Sequence, residues 1–202
     1  MTGLDAFQYP AHAHRRRHGP QGYASAAQFR EWLRDEFAFR CVYCLEREQW
    51  VNRTGHFHAE HFQPVALRPD LELDYDNLVY ACHVCNAVKQ DQAVPNPLRV
   101  LLDESVKVQP NGTLIALTKE AAKLVELLHV NSSESRRRRR LMMRVIRLAI
   151  DHDAALLQDL LGFPENLPDL SRLHPPEGNR RPAGVKRSHF ARQARGKLPA
   201  SY

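Results

Sequence analysis

The sequence has little cysteine and no long hydrophobic run. Only four of its 202 residues are cysteine, and no apolar signal segment stands at the N-terminus, so we expect a cytoplasmic protein. In that reducing compartment, paired cysteines bind metal more often than they form disulfides. The chain also lacks a transmembrane run, an internal repeat and a heptad array. An integral membrane protein, a solenoid and a long coiled coil are therefore not expected.

The four cysteines form two Cys-X-X-Cys pairs, Cys41/Cys44 and Cys82/Cys85. Two such pairs supply the four thiolates that tetrahedral Zn²⁺ prefers, and no thiol is left over. The gap between the pairs is wider than in a simple zinc ribbon, which predicts a strand-loop-strand unit between them. We expect a structural zinc ion that contributes to folding and has no open coordination position. A redox pair and inert buried thiols are the alternatives.

Four short motifs follow one another in this region. In chain order they are Cys41-Val-Tyr-Cys44, His58-Ala-Glu-His61-Phe-Gln-Pro64, Asp74-Tyr-Asp-Asn77-Leu78 and Cys82-His-Val-Cys85-Asn86-Ala-Val-Lys89. Over roughly residues 38–92 they resemble the cysteine-bearing branch of the HNH endonucleases. The helix-like segment from Ala121 to Asn131 and the arginines after it also resemble small bacterial HNH proteins of anti-phage, or antiviral, defence. The resemblance implies an α+β fold with a ββα-metal, treble-clef-like core, zinc knuckles, an N-terminal helix and a C-terminal helical extension.

The resemblance also implies a role for the polar residues of the motifs. His61 would be the general base, because a near-neutral imidazole takes a proton from water when its other nitrogen is held by an acceptor. Glu60 and Asn86 would hold one divalent cation, Mg²⁺ or Mn²⁺, which prefers oxygen ligands. Asn77 would orient the loop beside the histidine, and Lys89 would contact a DNA phosphate. The structural alternatives are a structural or unused histidine for His61, a surface carboxylate for Glu60, a helix cap for Asn86, a turn residue for Asn77 and a solvated side chain for Lys89.

Two positions depart from the usual family pattern. Glu60 stands where the family more often has Asp, and Asn86 stands where it often has His. Both residues keep an oxygen donor for a hard cation, so the reach of the site changes but its chemistry does not. His56 and His58 alternate along the predicted strand with Phe57 and Ala59, so both are expected on the same face as Glu60, and each is a candidate extra ligand or phosphate contact.

The net charge of +6 is unevenly distributed along the chain. Residues 171–202 hold eight Lys or Arg against one Glu, so the preceding residues carry a small net negative charge. Basic side chains cluster in three places: Arg15 to Arg17, Arg136 to Arg140 and the C-terminal tail. Clustered cations bind DNA by releasing counterions from its phosphates. We therefore expect these segments to provide affinity for DNA, with double-stranded DNA as the expected partner.

The middle basic cluster is predicted to lie on a helix that begins at Ser133 or Ser135 and ends near Leu161. The apolar residues expected to dock that helix are Leu141, Val145, Leu148, Ala149 and Leu156. A neighbouring stripe is expected to bind nucleic acid and consists of Arg137, Arg140, Arg144 and Arg147. A solvated face that only aids solubility is the alternative for this stripe.

Composition divides the chain into four expected parts. Residues 1–24 are predicted to be a flexible basic arm, and residues 25–132 a nuclease domain that begins with a helix capped by Ser25. A hairpin around Asn111-Gly112 and a helix from Thr118 to about His129 are predicted inside that domain. Residues 133–170 are the arginine-striped helical extension, and residues 171–202 a basic tail expected to be disordered because it is rich in Pro, Gly, Arg and Ser.

These features predict a metal-dependent endonuclease that hydrolyses DNA phosphodiester bonds with one catalytic cation. One alternative is a zinc-stabilised module that binds nucleic acid without cleaving it. Another is a nuclease subunit of a defence complex that cleaves only when a partner protein, such as an ATPase, is engaged.

Overall fold

The computed structural model describes residues 3–51 and 56–202. Its strands are β1 (Phe57–His61), β2 (Leu78–Cys82), β3 (Val106–Val108) and β4 (Leu114–Ala116). Its α-helices are α1 (Arg30–Glu36), α2 (His83–Lys89), α3 (Pro97–Val100), α4 (Lys119–Leu127), α5 (Ser133–His152), α6 (Ala154–Leu161) and α7 (His189–Gln193). Short 3₁₀ turns connect several of them. The fold is α+β, as predicted.

A hairpin followed by a helix forms the centre of the molecule. Strands β1 and β2 pair antiparallel, with Phe57 opposite Cys82 and His61 opposite Leu78. Every residue of β2 is buried, and α2 begins immediately after it, with Cys82 as the N-cap. Helices α1 and α2 both contact the hairpin. This strand-strand-helix unit is the predicted ββα arrangement, and it places the end of β1 beside α2.

Aromatic residues fill the core around this unit. The largest of its fully buried aromatic side chains are those of Trp32, Tyr43, Tyr75, Tyr80, Phe29 and Phe39. Ser25 and Gln28 form a capping box at the 3₁₀ turn Ala26–Phe29, which leads into α1. The helical segment predicted after Ser25 is therefore present, and it buries its apolar face against the hairpin.

The segment after the ββα unit follows the predicted order. Strands β3 and β4 pair around Asn111-Gly112, and Gly112 has a φ of +86°. A Cβ atom there would collide with the backbone carbonyl of Arg136, so glycine meets two requirements at once. Thr118 caps α4. The long helix predicted to reach Leu161 instead ends at His152, because Asp153 is extended and its side chain caps α6.

Helix α5 docks through an apolar row that shares only the buried Ala149 with the predicted one. Its buried residues are Arg139, Met143, Ile146 and Ala149. Leu141 and Leu148 are 58% and 59% exposed, so the prediction that they dock was wrong. Leu141 lies one turn from Arg137 and from Arg144, Leu148 lies one turn from Arg144, and both leucines lie on the side of the helix away from Ile146. The helix instead docks through Met143 and Ile146, because this orientation also brings Met142 and Ile150 against the core.

The N-terminal segment, predicted to be a flexible arm, packs against the core from residue 3 onward. Phe7 and Tyr9 are buried, and the Tyr9 hydroxyl donates a hydrogen bond of 2.6 Å to the Tyr43 carbonyl. His18 is fully buried and bonds Asp35 of α1 at 2.8 Å. Composition suggested a flexible arm, but the segment has specific partners on α1 and beside the first cysteine pair.

The C-terminal tail, predicted to be disordered, also packs onto the molecule. The backbone N–H and the Nδ1 of His189 both bond Asp35, at 2.7 and 2.9 Å. The Arg47 guanidinium lies 4.2 Å from the centroid of the Tyr202 ring. The Tyr202 ring also stacks on Phe163. The tail has few apolar residues to bury and is held instead by buried carboxylates and aromatic contacts. None of the helices in the described ranges is long and apolar enough to cross a membrane.

Candidate active site and cysteine cluster

The four cysteines meet at one point between two turns. Their sulfur atoms all lie within 4.8 Å of one another, and Cys44 Sγ is 3.6 Å from Cys82 Sγ. A tetrahedral Zn²⁺ with Zn–S bonds of about 2.3 Å separates its sulfurs by about 3.8 Å. The cluster therefore fits zinc in both donor chemistry and spacing, and the four cysteines could hold that ion.

Local backbone geometry brings the two pairs together. In the first turn the Leu45 N–H bonds the Cys41 carbonyl at 3.0 Å, and Leu45 has a φ of +61°. The Val42 N–H bonds the Tyr80 carbonyl at 2.9 Å, which fastens this turn to β2. The second pair lies at the end of β2 and in the first turn of α2. Hairpin and cluster thus form one rigid unit.

His61, the predicted base, lies at the end of β1 and is half-exposed. Its Nε2 is 2.8 Å from the backbone carbonyl of Glu72. A carbonyl oxygen can only accept, so Nε2 carries the proton and Nδ1 is left as an acceptor. This arrangement meets the condition stated for a histidine base, namely that its other nitrogen is held by a backbone acceptor.

Asn77 holds the loop that supplies this carbonyl. The Asn77 side chain is buried, and its Oδ1 accepts from the Gln63 N–H at 3.1 Å. Its Nδ2 donates to the carbonyls of Gln63 and Leu71, at 3.0 and 3.3 Å. Leu71 directly precedes Glu72. One amide therefore ties the chain after β1 to the residue next to the histidine's partner, which is the geometry expected of an orienting asparagine.

Glu60 and Lys89 form an ion pair in the interior. Lys89 Nζ is 2.7 Å from Glu60 Oε1, and the lysine is 1% exposed. Burial raises the pKa of Glu60, and the Lys89 ammonium opposes that rise. Lys89 lies on the buried side of α2 beside Cys85, so the prediction that it reaches a DNA phosphate was wrong. Glu60 lies on β1 and Lys89 on α2, far apart in the sequence, so no local pattern could reveal that the two would pair.

The remaining polar candidates lie around this pair. Asn86 is half-exposed on α2, one turn before Lys89, and its carbonyl accepts the N–H of Gln90. His58 lies 5.8 Å from His83, measured between ring centroids, and burial together with His83 lowers the pKa of His58. The Nε2 of His58 is buried without a hydrogen-bond partner among the described residues. His58 thus faces the start of α2, and convergence of Asn86 on a shared cation stays a prediction.

A comparison with protein-family models matches residues 41–92 to the HNH endonucleases. The matched stretch begins at the first cysteine of the cluster and ends just after α2, so it coincides with the ββα unit and its zinc knuckles. Residues 41–92 form an HNH endonuclease domain. The resemblance found in the motifs is thereby confirmed for this part of the chain. No curated protein and no solved structure matches the sequence.

Outside the HNH domain, the arginines of α5 differ in their surroundings, and Arg138 pairs with Glu46 of that domain. Arg137, Arg140, Arg144 and Arg147 are all exposed to solvent, as the predicted stripe requires. Arg139 is buried and donates hydrogen bonds to the carbonyls of Gly112 and Val130, the latter at 2.9 Å. Arg139 belongs to the basic cluster Arg136 to Arg140, and its burial was not predicted. Its spacing from Met143 and Ile146, at i+4 and i+7, was the available signal that it faces inward.

Arginines of the two terminal segments also contact the HNH domain. Arg181 forms a bidentate ion pair with Asp76, and Arg16 bonds the carbonyls of Asp76 and Leu78. Sequence reasoning assigned these arginines to DNA-binding arms. Nothing local in the sequence signals these contacts, because the partners of Arg181 lie more than a hundred residues away.

Proposed function

We propose that this chain is a metal-dependent endonuclease that hydrolyses DNA phosphodiester bonds. In this proposal His61 is the general base, and Glu60 and Asn86 hold one divalent cation, Mg²⁺ or Mn²⁺. Asn77 orients the catalytic loop, and Cys41, Cys44, Cys82 and Cys85 hold a structural zinc ion. The HNH family match at residues 41–92 and the cysteine cluster support this assignment.

The single observation that carries the proposal is the hydrogen bond from His61 Nε2 to the Glu72 carbonyl. It selects the tautomer in which Nδ1 is the basic nitrogen, and it holds the half-exposed ring in place at the end of β1. Asn77 restrains the loop that precedes this carbonyl, through the carbonyls of Gln63 and Leu71. A histidine held in this way is preorganised to take a proton from an attacking water molecule.

The donor set near His61 suits a hard cation. The Glu60 carboxylate and the Asn86 amide both offer oxygen, which Mg²⁺ and Mn²⁺ prefer over nitrogen or sulfur. When bound, such an ion would neutralise charge on the phosphate and on the leaving oxygen. Lys89 engages Oε1 of Glu60, so Oε2 is the oxygen that this ion pair does not use. The residues themselves orient the base, hold the carboxylate and keep the donors on one rigid unit.

The same ion pair favours a second candidate function. A buried ammonium 2.7 Å from Glu60 supplies the positive charge that a cation would otherwise supply. If Lys89 keeps that place in solution, the chain would be a zinc-stabilised module that binds nucleic acid without cleaving it. The two candidates differ in one measurable property, which is cation-dependent cleavage.

The test is nicking of supercoiled plasmid by zinc-loaded protein to which Mg²⁺ or Mn²⁺ is added back. The divalent cation is removed by dialysis, because a strong chelator would also remove zinc from the cysteine cluster and unfold the domain. Zinc content is measured before and after dialysis. We expect cleavage that rises with added Mg²⁺ or Mn²⁺ at constant zinc content. Glu60→Ala should abolish the response to the cation, whereas Glu104→Ala, at an exposed position, should preserve it. Binding without cleavage at any cation concentration would favour the second candidate.

The exposed arginines of α5 complete the proposal. Arg137, Arg140, Arg144 and Arg147 lie on one solvent-facing side of a helix of 20 residues. Arg147 also pairs with Asp151 at 3.0 Å, on the same side. The positive charge of this row complements the negative charge of the DNA backbone, so we assign the row to phosphate binding.

A further inference from the structure

The two terminal segments pair with each other. The Gln21 N–H bonds the Gly178 carbonyl at 2.9 Å, and the Glu177 N–H bonds the Gln21 carbonyl at 3.2 Å. The Arg180 N–H bonds the Gly19 carbonyl at 2.8 Å. These bonds make residues 19–21 and 177–180 a short antiparallel ladder. The segments therefore act as one layer, and the side chains they present to the HNH domain are placed together.

Arg181 projects from this layer onto Asp76. Its NH1 and NH2 groups lie 2.9 and 2.7 Å from the two carboxylate oxygens, and NH1 also donates to the His18 carbonyl at 2.7 Å. A bidentate guanidinium-carboxylate pair sets orientation as well as distance. The pair is about one-third exposed on each side, so solvent screens much of its Coulomb energy. Its value lies in geometry more than in stability.

Arg16 holds the same loop from the other segment. Its NH2 group donates to the carbonyls of Asp76 and Leu78, the residues on either side of Asn77. The guanidinium lies 5.3 and 5.2 Å from the centroids of two aromatic rings, those of Phe37 and Tyr75. Both terminal segments thus grip the backbone or side chain of the residues that flank Asn77.

The grip is relayed to the proposed base through hydrogen bonds already described. Asn77 ties Gln63 to Leu71, and Glu72 accepts the hydrogen bond from His61 Nε2. A shift of Asp76 would move Asn77, then the carbonyl of Glu72, and then the direction of the imidazole. Each link is a direct contact or an adjacent residue.

We propose that Arg181 is a positioning residue of the hydrolytic centre, which acts on His61 through Asp76 and Asn77 and does not contact DNA. This inference rests on the proposed nuclease function. It assigns to the C-terminal segment a role in catalysis, in place of the DNA-binding role that its charge suggested. Arg16 works on the same loop from the N-terminal segment.

The experiment compares Arg181→Ala with Arg172→Ala in the full-length, zinc-loaded protein. Arg172 belongs to the same basic tail but its side chain is 86% exposed. Loss of the Asp76 contact should lower the single-turnover cleavage rate by about tenfold to a hundredfold, the range expected when a catalytic group shifts by about 1 Å. DNA affinity and its salt dependence should stay at the wild-type values. Arg181→Lys should restore part of the rate, because a lysine keeps the charge but not the bidentate fork.

A second readout measures the loop without reference to cleavage. The Gln63 N–H donates a hydrogen bond to Asn77 Oδ1. The hydrogen-exchange rate of the Gln63 amide therefore reports how firmly Asn77 is held. We expect faster exchange at Gln63 in Arg181→Ala and no change in Arg172→Ala. Unchanged exchange together with an unchanged cleavage rate would overturn the inference. A wild-type rate with weaker DNA binding and a shallower salt dependence would overturn it as well, since it would make Arg181 a phosphate contact.

The two readouts separate failure of this inference from failure of the proposed function. If wild-type protein does not cleave DNA, the nuclease proposal fails and the catalytic role of Arg181 fails with it. Faster exchange at Gln63 in Arg181→Ala would then leave only the structural clamp on the loop. If wild-type protein cleaves and Arg181→Ala matches it in rate and exchange, the nuclease proposal stands and only the role of Arg181 is rejected.

Discussion

Two arginine-rich regions of this chain look alike in sequence and differ in their surroundings. On α5, Arg137, Arg140, Arg144 and Arg147 point into solvent. In the terminal segments, Arg16, Arg17 and Arg181 turn inward to carbonyls and carboxylates of α1 and the HNH domain. A cluster of positive charge is therefore not enough to identify a nucleic-acid-binding surface. What decides is whether acceptors of the same chain already occupy the guanidinium groups.

The difference follows from where the acidic residues lie. Asp35 and Glu36 are adjacent and fully buried on α1, and each needs hydrogen-bond donors to remain ionised there. The terminal segments supply those donors from histidines and backbone N–H groups. Within the described part of the chain, the stripe Arg137, Arg140, Arg144 and Arg147 has a single ion pair, that of Arg147 with Asp151. Its positive charge is left for an external anion.

The largest expected effect comes from removing the exposed row. Replacing Arg137, Arg140, Arg144 and Arg147 together by alanine should make the plot of log K for DNA against log salt concentration shallower by about 3.6, if each contacts one phosphate. Folding should be unaffected, because these side chains are exposed. The slope is measured by fluorescence anisotropy with labelled duplex DNA at salt concentrations from about 50 to about 200 mM. An unchanged slope would make the row a solvated face.

Acid should weaken the contacts that hold the terminal segments against α1. Burial opposes ionisation of Glu36, but the hydrogen bond from His14 and the charges of His14, His18 and Arg16 hold its pKa at about 2, below its ordinary value of 4.5. A lowered folded-state pKa stabilises the fold above pH 4.5, and this stability, roughly 3 kcal/mol, is lost as pH falls toward 2.

Urea unfolding at a series of pH values between 7 and 2.5 measures that loss. Glu36→Gln should flatten the dependence of unfolding free energy on pH in this window, whereas Glu104→Gln should leave it as in the wild type. An acid response that persists in Glu36→Gln would show that other carboxylates dominate.

A smaller effect is expected from a single arginine of the terminal segments. Arg16→Ala removes the donor from two carbonyls and the cation from two aromatic rings, so we expect a loss of about 2 kcal/mol in unfolding free energy. Arg144→Ala on α5 should change stability by no more than about 0.5 kcal/mol. Urea unfolding at pH 7 compares the two variants. Equal values would remove the distinction between inward and outward arginines.

Local signals account for what the sequence predicted correctly. The spacing of Cys41/Cys44 and Cys82/Cys85, the Asn111-Gly112 turn and the Thr118 cap each involve a few neighbouring residues. They predicted the cysteine cluster, the β3-β4 hairpin and α4. The order of motifs likewise predicted the ββα unit that the family match covers.

Long-range partners account for what the sequence did not predict. Arg181 and Asp76 are 105 residues apart, and His189 and Asp35 are 154 apart, so neither pair leaves a local pattern. Composition alone suggested a flexible arm and a disordered tail. Lys89 is a related case, because its burial depends on how α2 packs against β1. The apolar row of α5 was misassigned because Leu141 and Leu148 also recur at helical spacing.

The central claim is that His61, held through Nε2, supplies the base for hydrolysis. The most direct measurement is single-turnover cleavage of plasmid DNA by His61→Ala, with His152→Ala at an exposed position of α5 as the control. We predict a rate reduced by about 10²–10⁴-fold in His61→Ala at unchanged zinc content and DNA affinity, and a wild-type rate in the control. Cleavage by His61→Ala at the wild-type rate would contradict the account.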